Sequence, residues 1–269
     1  METPFSLLIF FVLFPLLFLL FLALSLKRKR RIAERMLARG IEYIKLMRNL
    51  LTYIQQHRGL TTGYINGNTS VQAEIDKVNL HVKRIAQDIQ DSGLWVRDNI
   101  KWMSLLDHWQ RLAQSYLQGD ADNNFKQHNI LIANLLYLIE DVADSHHLAK
   151  MGGGSLDTDW RYLLSIAEYI GQARALGTGV AARGECSSVM RIQLNHLRNK
   201  ISGSVEEAWS EKLRQEIKSL MQCIETQLVV DKPTITPGDY FALATRCIDH
   251  ILEQFDRQIE NLHFYRYEG

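Results

Sequence analysis

The sequence predicts an all-α protein: an N-terminal transmembrane helix followed by two tandem four-helix bundles, the second a duplicate of the first. Three observations carry this reading. Residues 5–26 are almost wholly Leu, Phe, Ile, Val and Ala. The chain has only four prolines, at 4, 15, 233 and 237, so its long middle has no proline to break a helix. Finally, Tyr53-Ile54-Gln55-Gln56-His57-Arg58-Gly59-Leu60-Thr61-Thr62-Gly63 returns 116 residues later as Tyr169-Ile170-Gly171-Gln172-Ala173-Arg174-Ala175-Leu176-Gly177-Thr178-Gly179, both reading Y-I-x-Q-x-R-x-L-x-T-G.

The apolar segment 5–26 rises about 1.5 Å per residue as a helix, roughly 33 Å in all and enough to span a bilayer. Pro15 sits mid-span, where membrane helices tolerate a kink. Lys27-Arg28-Lys29-Arg30-Arg31 follows at once, while the residues before the span carry Glu2 and no Lys or Arg. The positive-inside rule then sets the remainder of the chain in the cytoplasm, behind a basic juxtamembrane segment at 27–31. A cleaved signal peptide would need its positive charges before the apolar core and small residues after it.

The first unit, 32–150, opens on one long helix over 32–66. Leu37, Ile44, Leu51, Arg58 and Ile65 share a face at seven-residue spacing, beside Met47, Ile54 and Thr61. The heptad-like rows between 33 and 54 would also suit a homodimer. Asn66-Gly67-Asn68-Thr69 reads as a turn. Val71, Ile75, Val78, Val82, Ile85 and Ile89 make an amphipathic second helix over 70–90. A third runs from Asp91-Ser92-Gly93 to about 117, with Trp95, Trp102 and Trp109 at core spacing. A break at 119–122 opens a fourth helix, 123–150.

The flexible stretch Met151-Gly152-Gly153-Gly154-Ser155 makes 151–156 a linker where a duplication would put one. In the second unit, 157–263, Asp157 caps helix five, about 158–183. A turn at 184–187 precedes helix six, which ends near 201. Ser204-Val205-Glu206-Glu207 has the form of a capping box for helix seven. Thr236-Pro237-Gly238-Asp239 starts helix eight, with Pro at the first helical position. The repeat extends here: Phe125, Ile132, Leu135, Leu136 and Ile139 match Phe241, Ile248, Ile251, Leu252 and Phe255.

A formal net charge of +1 argues against nucleic acid as the main partner, because phosphate contacts need a basic surface. Cys186, Cys223 and Cys247 are odd in number and show no metal spacing. Glu140, Asp144 and His147 share a helix face, but an acidic patch with a solvated histidine is the usual meaning. No nucleophile elbow, P-loop, dinucleotide fingerprint or C-x-x-C is present, so no cofactor, metal or catalytic residue is expected.

The chemistry is in the arginines. Arg58 interrupts its apolar row, and Arg174 does the same in the row Trp160, Ala167, Arg174 and Ala181. A buried guanidinium costs several kcal/mol unless partnered. Each should therefore meet a carboxylate, backbone carbonyls or a bound anion. Gly59, Gly63, Ala173, Ala175, Gly177 and Gly179 leave room beside them, which suggests an anion pocket. The alternative is that each snorkels to the surface or pairs with an internal Asp or Glu. Arg246, where the first copy has Ile130, could supply a third inward cation or pair along its helix with Asp249 or Glu253.

At these motifs the chain resembles the NIT family, the nitrate- and nitrite-sensing domains of bacterial regulators. The matching stretches are Gln56-His57-Arg58-Gly59-Leu60-Thr61-Thr62-Gly63-Tyr64, Gln172-Ala173-Arg174-Ala175-Leu176-Gly177-Thr178-Gly179 and Phe241-Ala242-Leu243-Ala244-Thr245-Arg246-Cys247-Ile248-Asp249. The resemblance covers roughly 40–260 and makes 32–263 one sensor domain. It implies two four-helix bundles that bind nitrate or nitrite between helices. It implies Arg58, Arg174 and Arg246 as ligand residues, with His57, Thr62 and Thr178 as further candidates. The family often has a second basic residue before the first R-G, where this chain has His57; if His57 carries charge, binding should strengthen as pH falls. Members usually carry an output module, and no room for one is left by 263–269. The expectation is therefore a non-enzymatic, single-pass sensor of the bacterial inner membrane that acts through a separate partner. A helical scaffold with structural arginines, or a sensor of another small anion, is the alternative.

Overall fold

The computed structural model describes residues 3–116, 120–148, 159–205 and 209–264; at 3–13, 159 and 262–264 it describes the backbone alone. The described residues are all-α, with no strand among them. α1 runs unbroken from Thr3 to Ile65 with Pro15 inside it. Among the described residues no helix is long and apolar enough to cross a membrane. The side chains of 5–13, nearly half of the expected span, lie outside that set.

α2 (Gln72–Asp91) follows a 3-10 turn at Thr69–Val71 and buries Ile75, Val78, Val82, Ala86 and Ile89 on one stripe. The single third helix expected from 93 to 117 is divided into α3 (Leu94–Arg97) and α4 (Ile100–Ser115). The cause is Asn99, whose side chain accepts from the backbone N–H groups of Lys101 and Trp102. A side chain that caps a new helix competes with continuation of the old one. Trp102 and Trp109 are buried in the core, with Trp95 packed against it. α5 spans Ala121–Ser145, capped by Asp120. The linker 151–156 and the cap at Asp157 lie outside the described residues.

α6 (Asp159–Arg183) and α7 (Ser188–Ser202, capped by Ser187) match expectation closely. The capping box at Ser204 does not open the next helix. Its hydroxyl instead donates back to Lys200 O at 2.6 Å and accepts from Tyr162 at 2.9 Å. α8 begins at Glu211, where Ser210 accepts from Leu213 N–H; Glu206 and Glu207 lie outside the described residues. A π-helical turn, Ile224–Leu228, ends this segment. α9 runs from Pro237 to Phe264, and Thr236 caps it in a reciprocal pair with Asp239.

The strongest packing pairs α1 with α5 and α6 with α9, equivalent helices in the two repeats. α2 lies on α1 and α4 on α5; α7 lies on α6 and α8 on α9. α1 also meets α6, and α5 meets α6. Leu37, Ile44 and Leu51 are consumed inside the chain at 0–2 % exposure, so that row is not free to hold a second copy.

Candidate functional site

Arg58 lies on the buried row of α1 and is fully buried. Its guanidinium spans the gap to α6 and grips Glu168: Nη1 donates to Oε1 at 2.5 Å and Nη2 to Oε2 at 3.2 Å. Glu168 also accepts from Gln55 (2.8 Å) and Gln172 (2.9 Å), so four donors surround one carboxylate. Such a buried pair holds only when its geometry is good and further hydrogen bonds support it; Arg58 Nε alone has no hydrogen-bond partner. Arg58 Nη1 also donates to Asn129 of α5 at 2.6 Å, and its guanidinium stands 5.6 Å from the Phe125 ring. Gly171 makes the approach possible, because a Cβ there would stand 2.8 Å from Arg58 Nη2.

Arg174 occupies the equivalent place in the second unit. Nη1 donates to Thr245 of α9 at 2.9 Å, and the guanidinium lies 4.8 Å from the Phe241 ring. Both contacts repeat those of Arg58 at the same sequence separations: the hydrogen-bond partner is 71 residues on, and the aromatic ring matches likewise. Here the likeness ends. Among the described residues no carboxylate lies within ion-pair distance of Arg174. Burial, followed by repulsion from Arg58, pulls its pKa down to about 10, which leaves it cationic at neutral pH. It is 8 % exposed and faces a cleft of about 410 Å³ between α1, α6 and α9. Thr178 lines the cleft with a buried hydroxyl oxygen that has no hydrogen-bond partner. A second hollow, bounded by α2 as well, adjoins it and shares Gly59, Gly63, Arg174 and Phe241. A buried cation with spare donors, beside an unsatisfied hydroxyl and open space, can bind a small anion.

The family model described as "Nitrate and nitrite sensing" matches residues 49–262, most of the chain. The chain belongs to the NIT family. This is a family of sensors rather than enzymes. Among solved structures, the one described as "Structure of the NasR transcription antiterminator" shares its fold, with a TM-score of 0.66 at 16% identity over 91% of this chain and 74% of that one. No curated protein matches.

The remaining candidates fall on both sides of the NIT cleft. Thr62 lines it and is a second partner for the Asn124 amide, at 3.2 Å. His57 does not reach it. One residue turns a helix by about 100°, and His57 points instead into the core of the first unit, against Trp109, Tyr116 and His128. His128 Nδ1 donates to Asn124 O at 2.7 Å, so its Nε2 accepts from His57 Nδ1, at 2.8 Å. Burial lowers the His57 pKa to about 4. His57 is therefore neutral near pH 7 and supplies no ligand charge. Arg246 is exposed and absent from the cleft lining, one residue past Thr245 and turned away from it. Glu140 and Asp144 are engaged by Arg161 at 3.1 and 3.2 Å. Among the described residues no His, Cys, Asp and Glu gather as a metal site.

Sequence reading missed Glu168, Asn129 and Thr245. Glu168 did carry a signal, since Trp160, Leu164 and Glu168 form an i, i+4, i+8 stripe whose last member is charged. Asn129 and Thr245 are common polar residues, and only the fold brings them to the arginines.

Proposed function

We propose that this chain is a membrane-anchored cytoplasmic sensor that binds nitrate or nitrite in the cleft at Arg174. The carrying observation is that Arg174, buried and cationic, has no carboxylate within ion-pair distance among the described residues. Thr245 and the unsatisfied Thr178 hydroxyl add neutral hydrogen-bonding groups beside it. A planar monoanion with equivalent acceptor oxygens fits a planar guanidinium fork. Thr62 completes the wall, and Arg58 stands behind it as a charge already matched by Glu168. The two helix groups, 32–150 and 157–263, act as tandem four-helix bundles that meet along α1 and α6. An anion bridging α1, α6 and α9 favours one arrangement of these helices, and the population shift is limited by its differential affinity for the two states.

The anchor is residues 5–26, in a bacterial inner membrane. It is supported by the apolar composition and the basic run that follows. It is also supported by the exposure of Leu16 through Leu26, where α1 presents large apolar side chains outward.

Thermal unfolding of the detergent-solubilised full chain, at rising nitrate or nitrite with chloride at equal ionic strength, tests the reading. A ligand that binds only the folded state stabilises it by about 2.7 kcal/mol at 100 times its dissociation constant. The expected result is a rise with nitrate or nitrite that is lost in Arg174→Gln. No rise above the chloride control would defeat the proposal.

A further inference from the structure

Two ion pairs between the units are reciprocal. Lys45 of the first unit meets Glu260 of the second at 3.7 Å, and Arg161 of the second meets Asp144 of the first at 3.2 Å. Each pair is the other with both residues moved by the 116-residue repeat. Part of the cleft lining is paired in the same way: Gly59 and Ala175, Thr62 and Thr178, and Gly63 and Gly179 line it together, whereas Arg174 and Phe241 line it without Arg58 and Phe125. This is the self-complementary logic of a two-fold interface, realised between halves of one chain.

Not every contact follows this pattern: Arg48 of the first unit meets Asp256 of the second at 2.7 Å, and the position equivalent to Arg48 is Leu164. The contact at the arginine motif is a second exception. Glu168 of the second unit holds Arg58 of the first. Its reciprocal would have residue 52 of the first unit hold Arg174 of the second. Residue 52 is Thr, and its hydroxyl donates to Arg48 O at 3.2 Å within its own helix. The two arginine seats are thus alike in their Phe and hydrogen-bond partners and differ in direct carboxylate contact: Glu168 grips Arg58, whereas Asp249 and Glu168 act on Arg174 only from beyond ion-pair distance.

We infer that the anion ligand takes the part of the carboxylate that residue 52 does not supply. One planar monoanion binds per chain, on Arg174, while Glu168 fills the equivalent seat at Arg58 from within. A carboxylate presents two oxygens on one planar centre; nitrite does the same, and nitrate adds a third. Four donors saturate Glu168 at Arg58, so that seat is closed to ligand. The inference rests on the anion-sensing reading and adds its stoichiometry and seat.

The test is titration calorimetry of the full chain with nitrate and nitrite, for wild type, Thr52→Glu and Glu168→Thr. A thermal-unfolding cycle of Thr52→Glu with Arg174→Gln, without ligand, accompanies it. Wild type should bind one anion. Thr52→Glu, a tethered competitor, should weaken binding by about 100-fold and should stabilise the chain only while Arg174 is present. Glu168→Thr should bind two. Unchanged nitrate affinity in Thr52→Glu, or no coupling between residues 52 and 174, would overturn the inference. So would a folded Glu168→Thr that still binds one. Should Glu168→Thr fail to fold, Thr52→Glu and the cycle decide. A wild type that binds neither anion yet shows the 52–174 coupling would sink the nitrate and nitrite assignment and support the seat.

Discussion

Arg58 and Glu168 form a pair whose members cannot be removed singly. Arg58→Ala leaves a buried carboxylate without its counter-charge, which costs about 3–5 kcal/mol. Replacing both together with Met and Leu should cost far less, because apolar residues of similar volume need no desolvated charge. Denaturant midpoints of the two single variants and the double measure this directly. His57 gives a second prediction. Its folded pKa is about 4 against an ordinary 6.5, so below pH 6.5 the unfolded chain takes up a proton that the folded chain refuses. Stability is full above pH 6.5 and falls as pH drops towards 4, by roughly 3 kcal/mol from this residue. His128 is lowered well below the usual value and works in the same direction. Urea unfolding at pH 7.5 and pH 4.5 checks the loss, and a double replacement of His57 and His128 by apolar residues should flatten it. At this scale the inward arginines were legible in the sequence, because a lone charge on a seven-residue apolar row is conspicuous. Whether such an arginine meets a carboxylate or a ligand was not, because that depends on a residue 110 positions away.

Helices were largely legible because each needs an apolar stripe, and a stripe is visible in the chain. Their ends depended on which side chain captures which backbone group. Asn99 breaks a continuous Trp periodicity by capping α4. Asn99→Ala should cost about 1 kcal/mol, read as a lower melting temperature. Ser204 looked like a cap, but its hydroxyl bonds backward to Lys200, and Ser210 caps α8. The glycines of the repeated motif also divide by element. A Cβ at Gly177 would collide with the Tyr240 ring, whose hydroxyl donates to Ala173 O. Gly59 has nothing within 4 Å of its Cβ direction. Gly177→Ala should therefore destabilise strongly, while Gly59→Ala should stabilise by up to about 1 kcal/mol through helix propensity. Circular dichroism melts of the two variants should move in opposite directions.

At the scale of the whole molecule, two equivalent helical units face each other across α1 and α6, with reciprocal ion pairs at their rims. If 5–26 anchors the chain, deleting those residues should move it from the membrane to the soluble fraction while leaving the nitrate-dependent melting shift intact. Cell fractionation beside the thermal titration distinguishes the two functions. The sequence by itself determined the all-α class, the long opening helix, the 116-residue duplication and the inward faces on which Arg58 and Arg174 lie. These follow from local periodicity and from internal likeness, which any chain displays before it folds. Only the tertiary structure decided that Arg58 is paired with a carboxylate and Arg174 is not, that His57 belongs to the core, and that Arg246 stays outside. Those outcomes depend on which helices pack together and in what register, since a buried charge takes its meaning from neighbours that the sequence holds far apart.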